Sequence, residues 1–123
     1  MKTFVLITLL VELLAGLALL IAPTLFPDLK SVEELPIGLA RMYGAAALAM
    51  AYLAFQVWRS FENPALRDVF LKTFSAFHIL VALAALVAYK SGGFSDAGIF
   101  ALHTILAIAT LYFYWKTRQP DKN

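Results

Sequence analysis

The sequence contains no cysteine and few charged residues. The absence of cysteine excludes disulfides, thiol nucleophiles and metal sites with cysteine ligands. Charged residues make up only 15% of the chain, and the formal net charge is +2. The basic residues are scattered near the ends of apolar segments, so we interpret them as topology signals and expect no nucleic-acid partner. The chain also carries no phosphate-binding loop and no nucleophile triad.

Apolar residues, in contrast, dominate the chain. They account for 62% of it, with a mean hydropathy of +0.79, whereas soluble domains are roughly 45–50% apolar. The 123 residues accommodate four membrane-crossing helices of ~20 residues with short loops. We therefore predict an all-α integral membrane protein, a four-helix bundle of up-down topology with a single transmembrane domain over residues 1–123. The predicted spans are residues 4–22, 37–58, 69–89 and 97–115.

The segments between the spans carry turn and capping signals. The first apolar segment is interpreted as a retained span rather than a secretion signal, because Glu12 interrupts it and Pro23 follows it directly. An acidic loop follows from Asp28 to Leu35, and residues 59–68 form the second loop, with a helix-start signal at Asn63-Pro64. Glycines end the third span at Ser91-Gly92-Gly93, and Ser95 or Asp96 is a candidate cap for the fourth.

Lysine and arginine are unequally distributed between the two predicted sides of the membrane. The side of the chain termini and the second loop carries Lys2, Arg59, Arg67, Lys72, Lys116, Arg118 and Lys122, and the opposite side carries Lys30, Arg41 and Lys90. Because positive residues are retained in the cytoplasm, both termini are predicted to be cytoplasmic. Aromatic residues mark the two membrane interfaces, with Trp58, Tyr112, Tyr114 and Trp115 inside and Tyr89 and Phe94 outside.

Small residues are the expected packing contacts, because lipid supplies little hydrophobic drive for helix association. The second span is rich in them, with Ala40-xxx-Gly44 and Ala47-xxx-Ala51, and the first contains Ala15-Gly16. We therefore expect the second span to be the central packing helix.

Each predicted span carries one stripe of polar and small residues at helical spacing. We expect the four stripes to turn inward in a bundle. In order from the first span to the fourth, the stripes are Thr8, Glu12 and Gly16; Arg41, Ala45, Leu48, Tyr52 and Gln56; Ser75, His78, Ala82, Ala85 and Tyr89; and His103, Ala107, Thr110 and Tyr114.

The ionisable residues within the spans are the candidate functional residues, because a charge in hydrocarbon is costly unless it is paired or neutralised. Helical rise places Glu12, Tyr52 and His78 near mid-membrane. Glu12 is interpreted either as a protonated packing carboxyl or as a pocket acid, proton carrier or ligand anchor. Arg41 lies near the outer end of its span. Its charge there is explained if the side chain snorkels to the lipid headgroups or pairs with Glu33, Glu34 or Asp96. The alternative is that Arg41 turns inward and contacts Glu12 or an anionic ligand.

His78 and His103 leave three interpretations open. They are hydrogen-bonded bundle histidines, members of a proton relay or ligand site, or ligands of haem or metal. The sequence has no HxxxH or ExxH spacing that would favour metal. Phe74 and Phe77 flank His78 closely enough to wall a pocket.

One part of the chain is similar to a known family. The run from Gly16 to Pro23, an acidic loop, and Ala40-Arg41-Met42-Tyr43-Gly44-Ala45 resemble the DoxX-like group of small four-helix bacterial membrane proteins. The resemblance covers the first two spans, and only Arg41 and Gly44 match by position. It implies a four-helix bundle in a bacterial cytoplasmic membrane; most members have no assigned function, and some resemble accessory subunits of quinone-linked membrane oxidoreductases.

Four functions are compatible with these residues. The leading hypothesis is a protein that holds a lipid or quinone-like molecule in an intrabundle pocket formed by Glu12, Arg41, Tyr52, His78 and His103. This hypothesis includes a role as an accessory subunit of a larger membrane complex. The alternatives are a membrane enzyme with a Glu12–His78 acid–base pair, a bis-histidine haem or metal protein, and a purely structural partner. Expected partners are the lipid bilayer, a hydrophobic small molecule, and a second copy or a larger membrane complex. The sequence identifies no cofactor.

Overall fold

The computed structural model describes residues 1–25, 34–92 and 97–119, with the backbone alone at residues 34–36. Four α-helices account for most of these residues: α1 (Lys2–Ile21), α2 (Glu34–Arg59), α3 (Pro64–Lys90) and α4 (Gly98–Arg118). A 3-10 turn, Pro23–Leu25, follows α1. The predicted acidic loop up to Glu33, the interface residue Phe94 and the candidate caps Ser95 and Asp96 lie outside the described residues.

The four helices confirm the four predicted spans. Each is long and apolar enough to cross a membrane, and even the shortest, α1 with 20 residues, is ~30 Å long, which matches the hydrocarbon core of a bilayer. Many of their large apolar side chains are exposed, as lipid-facing side chains would be.

The predicted second loop is too long. It was expected to continue to Asp68, but α3 begins at Pro64, because proline fits the first turn of a helix and good helix formers follow it. The remaining connection is a turn in which Asn63 N–H donates to the Ser60 carbonyl at 2.9 Å. At the other end of α3, Gly92 adopts a φ of +78°, which confirms the predicted glycine stop.

The chain divides into two compact units, Met1–Asn63 and Pro64–Asn123. In the first unit α1 packs against α2. The two helices are antiparallel, because the Lys2 ammonium at the start of α1 lies 5.9 Å from the Trp58 ring centroid at the end of α2. Their crossing lies at Gly16 and Gly44. A Cβ atom added to Gly44 would lie 2.8 Å from the Gly16 carbonyl oxygen, so the backbones touch directly.

The buried face of α2 differs from the predicted stripe. Its buried residues are Gly44, Ala47, Ala51, Ala54 and Val57. The predicted stripe from Arg41 to Gln56 therefore does not face α1 in the first unit: Arg41, Ala45 and Tyr52 are exposed. The physical reason is that the glycine and alanine face permits the closest approach to α1, which turns the face with the larger polar side chains away from α1.

In the second unit α3 packs against α4, also antiparallel. Arg118, at the end of α4, donates to Asp68, near the start of α3, at 3.0 Å. The buried side of α3 includes Phe70, Leu71 and Phe74 and then Ser75, His78, Ala82 and Ala85, and that of α4 consists of His103, Leu106, Ala107 and Thr110. The predicted stripes of these two helices are thus buried, except at Tyr89 and Tyr114.

Candidate functional site

The structure separates the five predicted site residues into two groups. Glu12, His78 and His103 are buried, with exposed fractions of 2%, 0% and 5%. Arg41 is exposed, and Tyr52 is 63% exposed. The Tyr52 hydroxyl accepts a hydrogen bond from the Gln56 side chain one turn along the same helix. Within the first unit Tyr52 therefore does not face α1, whereas Glu12, His78 and His103 are buried within their own units.

Glu12 belongs to the first unit, where it interacts electrostatically with Tyr43 of α2. On α1 it shares the buried face with Thr8, whose hydroxyl donates to the Phe4 carbonyl at 2.9 Å, and with Gly16. Tyr43 was missed among the candidate residues. Its position directly before Gly44 at the helix crossing was the available indication, since neighbours of a close backbone contact face the partner helix.

His78 and His103 form the most closely associated pair of buried ionisable side chains within the second unit. Their Nδ1 atoms are 2.9 Å apart, and their ring centroids are 5.1 Å apart. The residues are separated by 25 positions in sequence, and the antiparallel packing of α3 on α4 brings them level. The sequence located both histidines on polar stripes, but their direct contact required the register of the two helices.

This contact determines what the pair can offer chemically. A neutral imidazole has one N–H donor and one acceptor nitrogen. In an Nδ1–H···Nδ1 hydrogen bond, one ring uses its donor and the other its acceptor. The donating ring then has a lone pair at Nε2, and the accepting ring has an N–H at Nε2. With either assignment of the shared proton, the pair combines one donor and one acceptor on its outer nitrogens.

Aromatic rings surround the histidine pair. The ring of Phe74 lies 5.4 Å from the His78 ring and that of Phe77 5.2 Å, both edge to face. Phe77 also approaches the His103 ring at 6.2 Å. The predicted flanking of His78 by two phenylalanines is therefore confirmed, and the histidines lie in an aromatic and apolar environment.

Ser75 adds a hydroxyl to the same face of α3, one helical turn before His78. It is 7% exposed, and its Oγ atom has no hydrogen-bond partner among the described residues. The buried Thr110 of α4 differs, because its hydroxyl donates to the Leu106 and Ala107 carbonyls, both at 2.9 Å. A buried hydroxyl without a partner costs roughly 1–3 kcal/mol, so Ser75 is a position where an added acceptor would be stabilising.

The described geometry is that of a hydrogen bond rather than a metal site. A tetrahedral zinc ion with bonds of about 2.05 Å to both Nδ1 atoms requires them to be about 3.3 Å apart, compared with 2.9 Å here. Within residues 1–25, 34–92 and 97–119, no three histidine, cysteine or acidic side chains are grouped as a metal site would require.

Comparisons with known proteins add no family to these observations. No family model, curated protein or solved structure matches the chain. The geometry of the buried side chains is therefore the basis of the candidate site.

Proposed function

We propose that this chain is a multi-pass membrane protein that binds a hydrophobic molecule with a carbonyl-bearing head, of the lipid or quinone type, at the His78–His103 pair. The bacterial cytoplasmic membrane, with both chain termini in the cytoplasm, is the proposed location. Four helices of spanning length and the excess of lysine and arginine near the chain termini support it.

The main observation in support of the proposal is the group of buried polar atoms on α3 and α4. Two imidazoles and the hydroxyls of Ser75 and Thr110 occupy helix faces that are otherwise apolar, and the Thr110 hydroxyl is already bonded to backbone carbonyls. Polar groups inside membrane helices are costly, and where they occur they mark functional sites. The hydrogen bond between the histidines offsets part of the cost, but it leaves the Ser75 hydroxyl without a partner among the described residues.

The character of these groups indicates the ligand class. An imidazole N–H and a serine O–H both donate to a carbonyl oxygen. The rings of Phe74 and Phe77 supply faces and edges for packing against a flat, apolar head. A quinone or an ester carbonyl of a lipid combines these two features, whereas a hydrophilic ligand would not offset the apolar surroundings.

The proposal can be tested with the detergent-purified full chain. Native mass spectrometry would first detect any co-purified hydrophobic molecule, and a benzoquinone with a ten-carbon tail would then be titrated. We expect saturable binding that Ser75→Ala weakens about fivefold, the value of one hydrogen bond of ~1 kcal/mol. His103→Ala should weaken it further. Leu102→Ala is the matched control, because this neighbouring side chain is 44% exposed.

Ser75→Ala also separates a ligand role from a structural one. Since its hydroxyl has no partner among the described residues, its removal should leave the unfolding midpoint without ligand unchanged or raise it. If Ser75→Ala and His103→Ala both bind the quinone as the wild type does, and no co-purified molecule is lost, the proposed site is wrong.

A further inference from the structure

A second polar site lies at the end of the first unit, where α1 begins and α2 ends. A shallow surface cavity of about 270 Å³, largely open to its surroundings, lies there, within residues 1–63. Unlike the histidine pair, it is lined by side chains at the helix ends and in the following turn. These are Lys2, Arg59, Ser60, Phe61, Glu62 and Asn63.

Two cations line this cavity and one carboxylate, Glu62, opposes them. The Lys2 ammonium lies 5.9 Å from the ring centroids of both Trp58 and Phe61. The Arg59 guanidinium lies 5.6 Å from the Phe55 ring centroid. Aromatic faces attract cations at these distances. These contacts place both positive groups at the cavity, where their N–H groups can donate to an anion.

The position of the cavity suits a lipid headgroup. Lys2 is the first residue of α1, and Arg59 is the last residue of α2. The apolar stretches of both helices therefore end at this level, and tryptophan is typical of the boundary between hydrocarbon and headgroups. The phosphates of a bilayer lie at the same depth. The hydroxyl of Ser60 adds a neutral donor of the kind that phosphate oxygens accept.

We propose that this cavity binds the phosphate of an anionic phospholipid headgroup, with Lys2 and Arg59 as its charged contacts. A phosphodiester carries one negative charge, and two cations against one carboxylate leave the site one positive charge to match it. Soluble phosphate offers the same oxygens, but the helix ends place the site against the bilayer, where lipid phosphates are concentrated. The site is separate from the histidine pair and does not depend on the function proposed for it.

The test compares two lipids with identical acyl chains, phosphatidylglycerol and phosphatidylcholine, by native mass spectrometry of the full chain in detergent. We expect phosphatidylglycerol to bind more tightly. The double variant Lys2→Gln/Arg59→Gln should weaken its binding about 25-fold, because each basic residue near the surface contributes about fivefold. The double variant Lys90→Gln/Lys116→Gln removes the same charge outside the cavity and should bind as the wild type does.

Two further measurements separate loss of the site from loss of the fold, and a lipid ligand from soluble phosphate. Circular dichroism should show equal helix content in all variants, so that lost binding reports the site rather than the fold. Inorganic phosphate in millimolar excess should not displace phosphatidylglycerol; displacement would assign the site to soluble phosphate and overturn the lipid assignment. Equal affinity for the two lipids, or undiminished binding by Lys2→Gln/Arg59→Gln, would also overturn it.

Discussion

Replacing Gly44 with alanine should destabilise the first unit through one methyl group. The added Cβ would lie 2.8 Å from the Gly16 carbonyl oxygen, 2.8 Å from the Leu20 backbone nitrogen and 3.0 Å from the Leu19 Cβ. Ordinary van der Waals contact begins at 3.4 Å, so α1 and α2 must separate by ~0.5 Å. Two of the three obstructing atoms belong to the backbone and cannot move by a change of rotamer. Overpacking of this kind costs typically 1–3 kcal/mol.

Gly38 provides the matched control on the same helix. An added Cβ there meets nothing within 4 Å, and alanine favours helix over glycine by up to ~1 kcal/mol. Gly38→Ala should therefore be neutral or stabilising, and any effect of the glycine-to-alanine change on helix propensity is common to both variants. The difference between the variants isolates the contact at the crossing.

The assay is unfolding of the detergent-solubilised chain by increasing mole fraction of sodium dodecyl sulfate, followed by far-ultraviolet circular dichroism. Gly44→Ala should unfold at a lower fraction than the wild type, with a free energy of unfolding reduced by ~1–3 kcal/mol. If Gly44→Ala and Gly38→Ala unfold together, the close approach of the two helices does not exist in the protein, and the assignment of the buried face of α2 fails with it.

Three other predictions follow from buried or paired side chains. Glu12→Gln and Tyr43→Phe should be non-additive by at least ~0.5 kcal/mol in the free energy of unfolding, because the two groups interact across α1 and α2; additive values would mean that they do not. His78→Phe or His103→Phe alone should each destabilise by ~1–3 kcal/mol, because the other imidazole loses its partner, whereas the double variant should cost less than the sum in the same assay. Asp68→Asn weakens exposed ion pairs near the start of α3, so the thermal midpoint of this variant should fall only slightly, and by less in high salt than in low salt.

The sequence predicted the helices well because their cause is local. A run of about 20 apolar residues in lipid must satisfy its backbone hydrogen bonds internally, and only a helix does so within one segment. The breaks were equally local: Gly92 and Pro64 act through their own backbone geometry. The start of α3 was misplaced because polar residues near a helix end do not distinguish a loop from a helical turn that extends past the apolar stretch.

The candidate site was predicted only in part. Periodicity placed Thr8, Glu12 and Gly16 on one face, and all three are buried. The same argument did not identify the face of α2 that meets α1, because two faces of that helix carry small residues and periodicity does not distinguish them; Tyr52 lies on the other face. Tyr43 was missed for this reason, since it belongs to the face that the glycine crossing selects.

The sequence by itself determined four helices of membrane-spanning length and the burial of Glu12, His78 and His103. Those features depend on hydropathy and on spacing within one helix. Only the tertiary structure decided that α2 turns its glycine and alanine face to α1 and that the two Nδ1 atoms lie 2.9 Å apart. The rotation and register of packed helices depend on which backbones can approach most closely, and that is a property of two surfaces together rather than of either sequence segment alone.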